Sequence, residues 1–81
     1  MNEYMKNGNL AVRSSCSKND GFTAIKIEVF GVPFMCGWRD GEHIPTTDSM
    51  IDAVINHFGS LSAEIYTAII IAYKRAIDEI L

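Results

Sequence analysis

Two hydrophobic periods divide the chain. Up to Gly41 the apolar positions alternate with a period of two. Leu10, Val12, Ser14 and Cys16 interleave with Ala11, Arg13, Ser15 and Ser17; Ile25, Ile27 and Val29 with Lys26, Glu28 and Phe30; Val32, Phe34, Cys36 and Trp38 with Met35, Gly37 and Arg39. Runs of this kind, rich in β-branched and aromatic residues, predict three strands. Asn19-Asp20-Gly21 predicts the turn between the first two. Pro33 lacks an N–H with which to close a two-residue hairpin, so the expected link between the second and third is a four-residue loop. Val29 then faces Phe34, Ile27 faces Cys36 and Ile25 faces Trp38, all on one side of the sheet.

After Gly41 the period becomes helical. Thr46, Thr47, Asp48 and Ser49 are N-cap choices behind Pro45, and Met50, Ile51, Val54, Ile55 and Phe58 make an apolar stripe that Gly59 ends. Ser60 or Ser62 caps a second helix towards Leu81, with Ile65, Tyr66, Ile69, Ile70, Tyr73, Ala76, Ile77 and Ile80 on its apolar arc. The expected fold is α+β: a three-stranded antiparallel meander followed by two helices packed on one face, βββαα, in a single domain over residues 1–81. Residues 1–9 are expected to be a loose tail. The alternative is an extra edge strand in which Asn7-Gly8 turns Glu3–Lys6 onto Leu10–Val12.

Composition narrows the function. With 48% hydrophobic residues the chain has the material for a core, so disorder is excluded for most of it. The net charge of −3 is the wrong sign for a generic nucleic-acid binder. It is unevenly distributed, with five basic and four acidic residues in 1–41 against two and six in 42–81. The polar start has no signal-peptide core, and the longest apolar run, Ala68 to Tyr73, is far below the roughly 20 residues of a membrane span. A cytoplasmic protein with no membrane contact is expected.

Cys16 and Cys36 should flank the middle strand on the core face, about 10 Å apart at two strand spacings, too far for a disulfide. They are expected as free thiols. Zinc is not expected, since Cys16, Cys36, His43 and His57 lack the short spacings that fix paired ligands locally. A Cys36–His43 nucleophile pair is disfavoured by a core-facing thiol, and His57 suits the last turn of a helix, where the dipole favours a cation. Without GxGxxG, GKS/GKT, HExxH or GxSxG, neither an enzyme nor a cofactor is expected.

Two surfaces remain for a partner. The outward face of the sheet should carry Phe22, Lys26, Glu28, Phe30, Met35 and Arg39, joined by Arg13. So apolar a face on so small a sheet asks for a cover: the N-terminal Tyr4 and Met5, a partner, or a second copy. The second surface is acidic, with Glu42, Asp48, Asp52 and Glu64, and Ile71 stands among charges on the second helix. The leading expectation is a non-enzymatic protein-binding module that occludes a larger partner, with a homodimer as a further option. The alternative is a nucleic-acid-binding regulator using aromatics amid Lys and Arg on the sheet. In size and style, though in no motif, the chain resembles small inhibitors of phages and mobile elements and small immunity proteins.

Overall fold

The computed structural model describes residues 2–6 and 9–81. Its order is β1 (Asn2–Lys6), β2 (Asn9–Asn19), β3 (Phe22–Val29), β4 (Val32–Arg39), α1 (Thr47–Phe58) and α2 (Ala63–Ile80). The four strands form one antiparallel sheet in the order β1-β2-β3-β4, so the expected three-stranded meander is corrected to four strands. The added strand comes from the segment expected to be a tail. Tyr4 pairs with Val12, on the helix-facing side, and its hydroxyl donates to Glu64 Oε2 of α2 at 3.0 Å. That anchor and the ladder to β2 order a segment whose own alternation is weak. Register shifts between Tyr4 and Met5, leaving Ala11 as the extra residue of a bulge in β2. The Asn7-Gly8 turn lies outside the described residues.

Both later hairpins have two-residue turns. Asp20 and Gly21 sit at φ of 53° and 76°, Phe30 and Gly31 at 50° and 82°, the type I′ pattern that matches strand twist. The four-residue loop expected at Pro33 is therefore corrected. Val29 pairs with Val32, Ile27 with Phe34, Ile25 with Cys36 and Thr23 with Trp38. Pro33 is compatible because its partner Glu28 begins the alternation one step beyond the closing pair. At such a position the backbone N points away from β3, to the open side of an edge strand. The displacement from expectation is two residues, which preserves the faces.

The helices lie on one face of the sheet. Thr46 precedes α1 in an extended conformation, and Gly59 at φ 86° returns its N–H to Ile55 O. Ser62 caps α2 by accepting from Ile65 N at 3.2 Å. Met50, Ile51 and Val54 of α1 are buried as expected. The buried stripe of α2 is rotated: Ile65, Ala68, Ile69, Ala72, Tyr73 and Ala76 face inward, while Tyr66 is 41% exposed. The fourth strand explains the rotation. It widens the sheet beneath α2, and the small Ala68 and Ala72 lie near Tyr4 and Val12 there. One cluster joins Val12, Ile25, Ile27, Val29, Trp38 and the inward faces of both helices.

Candidate functional site

The register assigns the outer face row by row: Glu3, Arg13, Glu28 and Pro33; Ser15, Lys26 and Met35; Ser17, Ala24 and Gly37; Asn19, Phe22 and Arg39. Its floor is small where Ser17, Ala24 and Gly37 meet. Ser15, Ser17, Ala24, Lys26 and Met35 border a shallow cavity of about 210 Å³ on this side. Met35 stands 68% exposed beside it.

Phe22 lies over the glycine of the next row. A Cβ placed on Gly37 would meet Phe22 Cζ at 2.5 Å and Thr23 O at 3.0 Å. The Arg39 guanidinium sits 5.6 Å from the Phe22 ring centroid, within cation–π range. An aromatic ring covering a strand glycine protects backbone that would otherwise be solvated on an edge strand. Gly37→Ala should displace the ring and cost about 1–3 kcal/mol. Adding Phe22→Ala should recover part of that loss; a strictly additive double variant in urea denaturation would refute the contact.

Charge on the rest of the face is paired across strands. Arg13 lies 3.9 Å from Glu3 and 4.0 Å from Glu28, a ladder on the β1 side. Lys26 and Arg39 thus stand with Met35 and Phe22 at the β4 side, an apolar and cationic patch. Glu42 adjoins it: its carboxylate accepts the Arg39 N–H at 2.7 Å, and its own N–H donates to Arg39 O at 3.0 Å.

The remaining expected residues are elsewhere. Phe30 is corrected from the outer face to the β3–β4 turn, where its ring packs edge-on against Phe58 of α1 with centroids 6.1 Å apart. Asp48 and Asp52 are exposed on α1. Glu64 receives the Tyr4 hydroxyl, and that bond raises the Tyr4 pKa above its usual value. Ile71 is 43% exposed and shares a groove between β1 and α2 with Tyr4. Tyr4 is therefore not a cover for the outer face. Of the expected contact residues, Phe22, Lys26, Met35 and Arg39 share the β4 side of the outer face with Glu42 at its margin, whereas Phe30, Asp48, Asp52, Glu64 and Ile71 occupy separate positions in the β3–β4 turn and on the helices.

Sequence reasoning offered Tyr4 as a cover for the outer face, whereas it packs on α2, and it missed Gly37. A glycine amid alternating residues signals a close approach and was the available clue to Gly37.

Cys36 and Cys16 are free thiols flanking Ile25. Cys36 Sγ lies 3.4 Å from Tyr73 Oη, and Tyr73 donates to Pro45 O. Among the described residues, no group of three or more His, Cys, Asp or Glu is placed to hold a metal ion, and no helix is long and apolar enough to cross a membrane. No protein family, curated protein or solved structure matches this chain.

Proposed function

We propose that this chain is a non-enzymatic protein-binding module that occludes a larger partner with the β4 side of its outer sheet face. It would work in the manner of the small inhibitors and immunity proteins of phages and mobile elements. The observation that carries the reading is Met35, 68% exposed across from Lys26, with Phe22 and Arg39 two rows along on the same face, opposite both helices. Such a patch combines an unbranched apolar anchor with two cations and suits an acidic, partly apolar surface. Free Cys16 and Cys36 suit a reducing cytoplasm as the place of action. The nucleic-acid alternative is weakened by Phe30, whose place in the turn leaves Phe22 as the single aromatic of the outer rows.

The test is capture from host cells followed by titration of the purified partner. Met35→Glu changes an exposed side chain, so circular dichroism and melting should match the parent. Its affinity for the partner should fall roughly 30-fold, the scale of a central anchor. A folded Met35→Glu variant that binds as tightly as the parent would sink this site. Binding of single-stranded oligonucleotide at low salt, lost as salt rises, would favour the alternative.

A further inference from the structure

Edge strands expose backbone groups that pair with other strands unless something stops them. In β4 the ladder to β3 alternates from the closing pair Val29–Val32, so Val32, Phe34, Cys36 and Trp38 bond inward. Pro33, Met35, Gly37 and Arg39 turn their backbone outward. Two of these four are already closed. Pro33 has no N–H, and Arg39 has both its N–H and its carbonyl engaged by Glu42. The open groups at the edge are thus the N–H and C=O of Met35 and Gly37, with the Pro33 carbonyl beside them.

We propose that two copies of this chain join through β4, antiparallel, about a two-fold axis at Cys36. This interface runs along the backbone edge of β4, whereas the proposed occlusion uses the outer face; Met35 and Arg39 border both. In that register Met35 of each copy pairs with Gly37 of the other, and the four open N–H and C=O groups of each edge satisfy one another. Centring the axis on Met35 would instead set Gly37 opposite Pro33, which has no proton to give. Centring it on Gly37 would set Met35 opposite the occupied Arg39.

Side chains fit the same register. On the outer face Met35 comes against the second copy's Phe22 ring, which covers Gly37 there, a thioether–aromatic contact. Phe34 comes opposite the second copy's Trp38 at the close, non-hydrogen-bonded spacing that favours aromatic pairs. Arg39 comes opposite the second copy's Pro33, with Glu28 next in that row at two strand spacings, roughly 9.6 Å, within reach of two long side chains. The row then runs Glu3, Arg13, Glu28 and the second copy's Arg39, alternating in sign. Between β4 and α1 a groove of about 330 Å³ is lined by Phe34, Cys36, Met50 and the small, exposed Ser49 and Ala53. Small residues there let the two α1 helices approach across the axis. Pro33 and the Glu42 cap therefore confine pairing to one short window and one register.

The axis sets the two Cys36 residues opposite each other with Cα atoms about 4.5 Å apart, inside disulfide range. Sedimentation of the whole chain should give twice the 9.0 kDa chain mass at about 100 μM. Diamide, which accepts the two thiol hydrogens, should trap a dimer linked through Cys36; Cys16→Ser should keep the cross-link and Cys36→Ser abolish it. Met35→Pro removes an outward N–H and should raise the dimer Kd at least tenfold while circular dichroism stays that of the parent. A single-chain mass at every concentration to ~1 mM overturns the proposal. So does a dimer without the Cys36 cross-link, or one that a folded Met35→Pro leaves intact. If the proline variant does not fold, mass and cross-link of the unaltered chain decide. The dimer is read from the chain alone and the occlusion from its partner, so the two ideas fail separately.

Discussion

Ile25→Ala should cost about 2–5 kcal/mol, seen in urea as a lower midpoint with an unchanged slope. Ile25 is fully buried in the middle of β3, with Cys16 and Cys36 as its cross-strand neighbours. Neither is large enough to fill the space that truncation opens, and the strands on both sides hold the backbone in place. A cavity therefore remains, and its cost adds to the lost transfer energy. A chain of this length has a total stability of roughly 4–12 kcal/mol, so the variant should be marginal at 37 °C. Met35→Ala is the matched control on the opposite face, one residue before Ile25's partner Cys36. At 68% exposure it should change stability by no more than about 0.5 kcal/mol. A larger cost at Met35 than at Ile25 would show that the faces of the sheet are exchanged.

The faces were legible because parity is robust. Pro33 argued for a wider loop, and the expected pairing of Ile27 with Cys36 is two residues away from the observed pairing with Phe34. An even displacement leaves every side chain on its side, so Ile25, Ile27 and Val29 point to the helices under either register. The turn itself was hidden. Type I′ turns favour Asn-Gly, and Phe30 at φ 50° is an uncommon conformation for an aromatic residue. Packing on Phe58 and the bond from Phe30 N to Ala11 O hold it there, and both partners are distant in sequence. For the same reason Phe30 was assigned to the wrong surface: alternation extrapolated through a turn carries no information about direction.

Long-range contacts also decided β1 and the rotation of α2. Asn-Glu-Tyr-Met-Lys offers little local preference for a strand, and its order comes from β2 on one side and Glu64, sixty positions away, on the other. Once that strand is present, Ala68 and Ala72 are the residues small enough to lie over it, and Tyr66 turns out. Caps obey shorter-range rules, so Gly59 could be read directly and Ser62 as one of two candidates with Ser60. The site was half legible. Phe22, Lys26, Met35 and Arg39 follow from parity alone, whereas the role of Gly37 needs the ring above it.

Tyr73→Ala should be among the most damaging single changes, costing about 3–5 kcal/mol, because Tyr73 is the largest fully buried side chain. Tyr73→Phe separates the hydroxyl from the ring. It keeps the packing but leaves Pro45 O without its donor and Cys36 without its contact, for about 1–2 kcal/mol. The hydroxyl also has a pH signature. Burial, and then the hydrogen bond with Cys36, raise the Tyr73 pKa above the ordinary 10.0. A raised acid holds its proton longer in the folded state than in the unfolded chain. Its contribution is thus fully present below pH 10, the unfolded value, and is lost as pH climbs from there towards the folded one. The slope approaches about 1.4 kcal/mol per pH unit for one proton. Tyr4 is also raised but is present in both proteins, so the difference between parent and Tyr73→Phe isolates Tyr73. Urea melts in steps above pH 10 should show the parent losing stability faster than Tyr73→Phe. Parallel curves would mean that the hydroxyl is not held as a buried donor between α2 and the linker.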